Sequence, residues 1–335
     1  MRNRRRATLL PLLFVLIAGA LACASSTTNS TGDSASSSTT TVGGTNSPTA
    51  HPAFGTCPSS AFPDLSGTSA GANYAAPKVT VVCSDTDVTV TSNNMISYEF
   101  VAITPNALAP RNFTWKIPLK PTKAASPTSI ENRLGTLGFT VTGIAIYGPT
   151  EGPMPEADAY GDPVGNGIVD YCGGHTGPSS EYHLHTIIYT DAACNFQTSQ
   201  LVGFAIDGFP IYNSVICLDA NCTQTTLAKS GYTKTGDSKS YVWKAYSFSG
   251  GGGADAGTLD ACNGRIEADG TYAYHLTPTQ FPYIIGCLAG TATTQTGNAA
   301  AEMPPMQGQQ GQPRPQGSAR PEGPPQGPPP GPPAY

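Results

Sequence analysis

The sequence has few basic residues, no C-x-x-C pair and, beyond its first 22 residues, no apolar run of the length that a membrane helix needs. Without residues 1–22, 13 basic residues stand against 22 acidic ones, a net charge of −9. Proteins that bind nucleic acid usually carry a basic stripe, so this balance argues against a nucleic acid partner. The missing C-x-x-C pair removes support for a zinc ribbon or a thioredoxin-type redox motif. No permanent transmembrane helix is predicted, because a span needs about 20 apolar residues.

The first 22 residues have the features of an export signal. Four arginines precede an apolar stretch from Leu9 to Leu21, and Ala20-Leu21-Ala22 gives a small-residue cleavage site. Because Cys23 follows directly, the same residues also resemble a lipobox, in which the cysteine carries a lipid anchor. The predicted location is therefore extracytoplasmic, either as a secreted protein or as a membrane-anchored lipoprotein.

The composition divides the remaining chain into four parts. Residues 23–55 are rich in Ser and Thr and are predicted to form a flexible tether, because they offer little apolar surface to bury. Residues 56–129 are predicted to be an N-terminal β region and residues 130–290 a duplicated core. Residues 291–335, rich in Pro, Gly and Gln, are predicted to be a disordered tail.

Short β-branched or aromatic runs bounded by Gly, Pro, Asn and Asp dominate residues 56–290. No stretch shows a helical apolar stripe of 12 or more residues. The predicted fold is therefore mainly β, a disulfide-containing sandwich or barrel-like domain. The predicted strands are Lys78–Val82, Val88–Thr91, Phe139–Thr142, Ile144–Tyr147 and His185–Tyr189.

A duplicated motif is the most informative feature of the sequence. Five pairs of identical residues share one offset of 90, which chance alignment does not readily produce: Asp170/Asp260, Cys172/Cys262, Gly174/Gly264, Tyr182/Tyr272 and His185/His275. A shorter echo links Phe209-Pro210-Ile211 with Phe281-Pro282-Tyr283 at a different offset. Two copies are too few for a solenoid, so we expect a pseudo-two-fold pair of β units within one domain.

Eight cysteines remain after Cys23, and an even count behind an export signal implies disulfides. One bridge within each copy of the repeat is predicted, Cys172–Cys194 and Cys262–Cys287. Cys217 and Cys222 are close enough in sequence to close a small loop. Cys57 and Cys83 are then left for each other.

Four of the five histidines lie in the two copies of the repeat. His183 and His185 are two residues apart, so in a strand both side chains point to one face. If the copies pack face to face, His275 approaches the same point, and His175 enters from the Cys172 loop. Three or four imidazoles suit Zn²⁺ or Cu²⁺, so these four histidines are the predicted metal ligands. The alternative is that each imidazole is simply packed and hydrogen-bonded.

Three aspartates have predicted roles beside these histidines. Asp170 and Asp260, the matched aspartates of the two copies, are predicted to orient the imidazoles of a metal site. Asp207 precedes a predicted turn and is a candidate general base if it reaches the histidines.

The order of the motifs resembles the YHYH domain family. The motifs are Asp-x-Cys-x-Gly-His at 170–175, Tyr-His-x-His at 182–185, Asp-Gly-x-Pro-Ile-Tyr at 207–212, Leu-Asp-x-Cys-Asn-Gly at 259–264, Tyr-x-Tyr-His-x-Thr at 272–277 and Phe-Pro-Tyr-x-x-Gly-Cys at 281–287. The resemblance covers about residues 130–290. It implies an exported protein but no particular activity. Leu184 replaces the second Tyr of the first motif and Ala273 the first His of the second, so a symmetric site would lose one ligand.

Two functions follow from these observations. The first is an exported surface protein with a histidine-based zinc or copper site. If such a site were catalytic, it would suit a metal-dependent hydrolase or a copper oxidase. The second is a non-catalytic surface module that binds carbohydrate or a protein partner, for which the tether and the many tyrosines argue. Imidazoles that converge on one point would favour the first, and scattered imidazoles the second.

Overall fold

The computed structural model describes residues 55–131, 133–152, 161–190, 193–194, 200–239, 241–251, 256–293 and 296–297. The predicted export signal and nearly all of the predicted tether and tail lie outside these residues. The helical segments within them are two 3-10 helices, Ser59–Ala61 and Val242–Lys244. No helix in the described ranges is long and apolar enough to cross a membrane. The predicted mainly β fold is confirmed.

The described residues form eighteen strands. They are β1 Val79–Cys83, β2 Asp87–Ser92, β3 Phe113–Pro118, β4 Lys123–Ser129, β5 Gly138–Thr140, β6 Ala145–Ile146, β7 Gly174–Thr176, β8 Tyr182–Leu184, β9 Leu201–Ala205, β10 Pro210–Tyr212, β11 Val215–Cys217, β12 Thr225–Leu227, β13 Tyr232–Lys234, β14 Tyr246–Phe248, β15 Gly264–Ile266, β16 Tyr272–His275, β17 Cys287–Gly290 and β18 Thr296–Gly297. Four of the five predicted strands are present, as β1, β2, β5 and β6, with different bounds. The prediction of a strand over 185–189 is wrong, because the amides of His185 and Thr186 both donate to the carbonyl of Gly173 and turn the chain there. Beyond residue 290, Thr296–Gly297 pairs with β3.

The two main sheets differ in how they are covered. The first has the order β1-β2-β3-β18, and its strands β2 and β3 alternate buried and more exposed residues, as expected of a sheet with one face in water. The second is an eight-stranded half-barrel with the order β15-β16-β10-β9-β5-β6-β8-β7. Strands β5, β6, β9 and β10 are buried along their whole length, so both faces of this sheet are covered.

The eight-stranded sheet is symmetric about its centre. From the middle outwards, β5 is antiparallel to β6, β6 parallel to β8 and β8 antiparallel to β7. Strands β9, β10, β16 and β15 repeat this pattern in the other direction. The pseudo-dyad passes through the pair Phe139 and Phe204, which are opposite each other where β5 meets β9. The expected pseudo-two-fold arrangement is therefore present, with the two copies, β7–β8 and β15–β16, at opposite ends of one sheet.

Gly138 and Gly203 lie beside this dyad, where β5 and β9 approach too closely for a side chain at either position. A Cβ atom on Gly138 would lie 2.7 Å from the carbonyl oxygen of Phe204, and one on Gly203 would lie 2.2 Å from that of Phe139. A side chain at either position would push the central strands apart. Both glycines belong to a second repeat, with an offset of 65, that relates the β5–β6 hairpin to the β9–β10 hairpin: Gly138/Gly203, Phe139/Phe204, Gly143/Gly208, Ile146/Ile211 and Tyr147/Tyr212. The echo of residues 209–211 at 281–283 is not part of this symmetry.

An aromatic core joins the two main sheets. Trp115 of β3 is 1% exposed and stacks on Phe139 of β5, with ring centroids 4.6 Å apart. Phe113 also stacks on Trp115, with ring centroids 5.3 Å apart. Aromatic pairs of this kind each contribute about 0.5–1.5 kcal/mol beyond the burial of their area. This core fixes one face of the half-barrel and therefore the side chains that project from that face.

All four predicted disulfides are confirmed. Cys172 pairs with Cys194, Cys262 with Cys287, Cys217 with Cys222 and Cys57 with Cys83. Each copy of the repeat thus has its own bridge, whose first cysteine lies two residues after the matched aspartate, Asp170 or Asp260.

Candidate metal centre

Each copy of the repeat begins with a turn that an aspartate organises. Asp170 Oδ1 accepts hydrogen bonds from the backbone N–H groups of Cys172, Gly173 and Gly174 at 2.9, 3.0 and 3.2 Å. The Tyr182 hydroxyl donates to Asp170 Oδ2 at 2.6 Å. The carboxylate therefore ties the start of β7 to the start of β8 and sets the register of the strands that carry the histidines.

The second copy has the same turn. Asp260 Oδ1 accepts from the N–H groups of Cys262 and Gly264 at 2.9 and 3.0 Å, and the Tyr272 hydroxyl lies 3.1 Å from Asp260 Oδ2. The prediction that Asp170 and Asp260 orient imidazoles is therefore wrong. Their oxygens are engaged by backbone amides and a tyrosine, which is why aspartate and tyrosine recur at this spacing.

Strands β7 and β8 bring three of the four predicted ligands together. His175 and His183 are directly opposite each other in the antiparallel pair, and His185 follows His183 by two positions on the same face. The ring centroids of His175 are 4.7 Å from His183 and 4.9 Å from His185, and those of His183 and His185 are 4.9 Å apart. All three residues are at most 3% exposed. The imidazoles therefore converge on one buried point.

Glu151 completes this cluster from the loop after β6. Its Oε2 atom lies 2.9 Å from His175 Nε2 and 3.1 Å from His185 Nε2. The two Nε2 atoms are 3.3 Å from each other. Zinc–nitrogen bonds of about 2.0–2.1 Å place neighbouring ligand atoms about 2.9 Å apart at right angles and about 3.4 Å apart at tetrahedral angles. The observed separations fall in that range, so these atoms are spaced as ligands of one ion.

Backbone carbonyls fix which ring nitrogens face the centre. His175 Nδ1 lies 2.5 Å from the carbonyl oxygen of Ile168, and His185 Nδ1 lies 2.6 Å from that of Gly148. A carbonyl oxygen only accepts, so both Nδ1 atoms carry the proton. In the neutral imidazoles the Nε2 lone pairs then point at each other and at the Glu151 carboxylate. Such an arrangement repels unless a proton or a metal ion lies between the atoms.

His183 has the most unusual environment of the three. It is 3% exposed, and neither of its ring nitrogens makes a hydrogen bond of good geometry within the described residues. Burial lowers the pKa of His183 well below 6.5, and the neighbouring His185 and His175 lower it further. The ring is therefore neutral and offers a lone pair. The Tyr147 ring stacks on it with centroids 4.0 Å apart and limits its rotation.

Charge around the site is arranged to attract a cation. Burial alone would raise the pKa of Glu151, but hydrogen bonds with His175 and His185 outweigh it and hold this pKa well below its ordinary range. Burial likewise lowers the pKa of His175, but the Glu151 carboxylate outweighs it and raises the pKa above 6.5. Ionised Glu151 thus draws positive charge to the centre. One oxygen of this glutamate and one nitrogen of each histidine lie within 4.8 Å of one another, and together they could hold a metal ion.

The structure does not bring His275, the fourth predicted ligand, to this cluster. His275 lies on β16, and five strand spacings of about 4.8 Å separate β16 from β8. The expectation of copies packed face to face is wrong, because the copies lie at opposite ends of one sheet. His275 Nε2 instead lies 3.0 Å from Glu267 Oε1, and its Nδ1 lies 2.8 Å from the carbonyl oxygen of Asn213.

Asp207, the candidate general base, is also away from the histidines. It is 1% exposed in the turn between β9 and β10, where Oδ2 accepts from the Tyr274 hydroxyl at 2.6 Å and from the Gly290 N–H at 2.9 Å. Burial raises the pKa of Asp207, although these hydrogen bonds counteract the rise. The carboxylate joins β16 and β17 to the β9–β10 turn, which is a structural role.

Sequence reasoning missed Glu151. The residue lies in an irregular loop, and no spacing ties it to the histidines. The connection comes from the fold: β6 pairs in parallel with β8, so the residues just after β6 lie beside His185, and Glu151 is the first acidic residue there.

The comparisons with known proteins agree with the motif order. A family profile described as YHYH protein matches residues 114–290, which is more than half of the chain. No curated protein and no solved structure matches the chain significantly. The matched region contains both copies of the repeat, all four residues of the histidine and glutamate cluster, and the pseudo-symmetric sheet that positions them. The chain belongs to the YHYH protein family.

Proposed function

We propose that the chain is an exported metal-binding protein whose centre, formed by Glu151, His175, His183 and His185, holds one Zn²⁺ or Cu²⁺ ion. The observation that carries this proposal is His183. A buried imidazole normally finds a hydrogen-bond partner, since an unsatisfied buried polar group costs about 1–3 kcal/mol. Around His183, the imidazoles of His175 and His185 and the Glu151 carboxylate are spaced as metal ligands. A metal ion bound by them would also use the lone pair of His183.

The kind of metal follows from the donor atoms. Imidazole suits zinc and copper, whereas a site for Mg²⁺ or Ca²⁺ is built from oxygen atoms. All eight cysteines within the described residues are in disulfides, so no thiolate competes for the ion. Three imidazoles and one carboxylate therefore point to Zn²⁺ or Cu²⁺ bound through nitrogen.

Four protein ligands favour binding over catalysis. Catalytic zinc sites usually keep one position open for water, whereas structural sites are closed by four protein ligands. The histidine side chains of this centre are nearly inaccessible, and the Glu151 side chain, 23% exposed, is the part in contact with solvent. A hydrolytic or oxidative reaction would require Glu151 to make room for another ligand. Convergence of the imidazoles also favours a metal site over a surface module of scattered, separately packed histidines.

Export is the second part of the proposal. The basic and apolar segments of residues 1–22 support it, and so do four disulfides, which persist in oxidising compartments. The mature chain begins at Cys23, with a lipid on that cysteine or without one. Intact mass spectrometry of the protein recovered from its native compartment tests both points. A mass that retains residues 1–22 would contradict export.

Metal content is the direct test of the centre. The full chain would be produced through an oxidising compartment as wild type, as the double variant His183→Leu/His185→Leu and as the control His275→Gln, which alters the histidine that matches His185 but lies outside the centre. Wild type and control should contain about one equivalent of zinc or copper. The double variant keeps one imidazole and one carboxylate, so it should contain much less, with an unchanged circular dichroism spectrum. Wild-type protein that takes up neither metal, or a double variant that binds as much, would overturn the proposal.

A further inference from the structure

The far end of the eight-stranded sheet contains a buried charged cluster at the position that the pseudo-dyad relates to the metal centre. The offset of 90 relates His275 to His185, Arg265 to His175 and Ala273 to His183. The exposed fractions of the His275 and Glu267 side chains are both 0%, and that of the Arg265 side chain, which covers them, is 23%. The cluster lies on β15 and β16, the counterparts of β7 and β8.

His275 is held in the same way as its counterpart in the metal centre. Its Nδ1 atom lies 2.8 Å from the carbonyl oxygen of Asn213, and His185 Nδ1 lies 2.6 Å from that of Gly148. Asn213 and Gly148 are themselves related by the hairpin offset of 65. Each carbonyl fixes the proton on Nδ1, and both Nε2 atoms face a carboxylate. For His275 this is Glu267 Oε1 at 3.0 Å.

The two ends of the eight-stranded sheet differ in the source of positive charge. Arg265 stands where the metal centre has His175, and its Nε lies 3.4 Å from Glu267 Oε1. The guanidinium also donates to the carbonyl oxygens of Ala256 at 2.7 Å and Ile266 at 3.2 Å. Arginine remains charged under all conditions relevant to proteins, so it supplies a permanent cation beside the glutamate.

We propose that the cluster of Arg265, Glu267 and His275 is a second cation site, in which the guanidinium of Arg265 takes the place that a divalent metal ion has in the first. The oriented imidazole is retained, the carboxylate comes from Glu267, just after β15, and not from a counterpart of Glu151, and the chain provides its own cation. The natural protein then takes up one metal ion per chain although its sheet has two equivalent ends. Only this count rests on the proposed function of the first centre.

The proposal predicts that one substitution converts the second site into a zinc site. The substitution Arg265→His removes the guanidinium and adds an imidazole at the position of His175. Two imidazoles and one carboxylate are a donor set that binds zinc. The further substitution Ala273→His would add the counterpart of His183, but Ala273 is fully buried beside Tyr212, so the single substitution is the cleaner test.

The experiment uses the full chain and zinc alone, in two backgrounds. In wild type, Arg265→His should raise the zinc content from about one to about two equivalents. In the His183→Leu/His185→Leu background, in which the first centre keeps one imidazole and one carboxylate, it should raise the content from near zero to about one. Arg265→Gln is the matched control, because it removes the cation without adding a zinc ligand, and it should add no zinc in either background.

Each outcome decides the question separately for the two sites. A folded triple variant, His183→Leu/His185→Leu/Arg265→His, that binds no zinc would overturn the second site. If the natural protein binds neither zinc nor copper but this triple variant binds about one equivalent of zinc, the first proposal fails and the second stands. If the triple variant folds only when zinc is present, as seen by circular dichroism, the second site is supported. If His183→Leu/His185→Leu folds but the triple variant does not, even with zinc, a metal ion does not replace the guanidinium and the proposal is wrong.

Discussion

At the scale of single residues, removal of the buried Asp207 carboxylate distinguishes a structural role in the β9–β10 turn from a catalytic one. Asp207→Ala would leave the Tyr274 hydroxyl and the Gly290 N–H without their acceptor. Each buried donor left unsatisfied costs about 1–3 kcal/mol, so we expect the free energy of unfolding to fall by about 3 kcal/mol. Metal content per folded chain should not change. Urea unfolding and elemental analysis measure the two quantities.

The control for this prediction is Asp237→Ala, which removes an exposed aspartate that accepts from the Lys239 amide. It should change the free energy of unfolding by no more than about 0.5 kcal/mol. A stable Asp207→Ala protein that has lost its metal would contradict the structural role of Asp207 and return it to the site.

His175 makes the effect of zinc depend on pH. In the metal-free protein Glu151 raises the pKa of His175 above its unfolded value. Protonated His175 therefore stabilises the metal-free fold at pH values below the unfolded pKa, and this contribution is lost as pH rises through the folded pKa. Zinc requires the deprotonated imidazole. The increase in Tm on adding zinc should thus be larger at about pH 8 than at about pH 5.5.

Scanning calorimetry with and without zinc at several pH values measures this difference. Glu151→Gln is the informative companion variant, because it removes the charge that raises the pKa of His175. In that variant the metal-free Tm should change less on acidification through the histidine range. A zinc effect that is the same at both pH values would contradict the proposed competition between proton and metal at His175.

The histidines show how far single residues can be read from the sequence. The two-residue spacing of His183 and His185 was enough to predict that they share a face, because strand geometry is local. The position of His275 was not predictable from its repeat partner, because an offset says that two segments are alike and not whether they face each other or lie side by side. Glu151 reaches the site from a loop, where no periodicity constrains a side chain.

At the scale of elements, the sequence predicted the cysteine pairings better than the ends of the strands. The four disulfides followed from one bridge per copy and from the small loop at Cys217–Cys222. Strands such as β2 and β3 alternate apolar and polar residues, so burial on one face explains them. The strands of the half-barrel are short and buried on both faces, and their ends are set by turns such as the one at Gly173, which the apolar pattern does not reveal.

The matched bridges of the two copies allow a comparison at this scale. Cys172–Cys194 and Cys262–Cys287 span 22 and 25 residues, so replacing either pair by serine should reduce the free energy of unfolding by roughly 3 kcal/mol. Only the first bridge holds the turn that places His175. We therefore expect zinc affinity to fall in Cys172→Ser/Cys194→Ser and to stay near that of wild type in Cys262→Ser/Cys287→Ser.

Isothermal titration with zinc measures the affinity, and urea unfolding confirms that the two variants are destabilised to a similar extent. Similar destabilisation matters because a general loosening of the fold would weaken zinc binding in both. Equal loss of affinity in the two variants would show that the bridge acts on the whole domain and not on the turn at His175.

The whole molecule combines a symmetric scaffold with an asymmetric distribution of ligands. The pseudo-dyad through Phe139 and Phe204 gives each half the same turn, the same hairpin and the same oriented histidine. The halves differ at the positions related by an offset of 90, where His175 and His183 correspond to Arg265 and Ala273. The pseudo-symmetry therefore explains the fold. The residues that differ between the two halves determine which end of the sheet has the three imidazoles of the proposed metal centre.

Binding of a metal ion to the folded chain alone must raise its thermal stability. A ligand at 100 times its Kd adds about 2.7 kcal/mol, which for a domain of this size corresponds to a Tm increase of about 5–10 °C. Chelation should remove this increase from wild type and from the control His275→Gln, and should leave the Tm of His183→Leu/His185→Leu unchanged. Calorimetry of the three proteins, with zinc and with chelator, measures it. If chelator lowers the Tm of the double variant as much as that of wild type, the stabilising ion binds somewhere other than the cluster of His175, His183, His185 and Glu151.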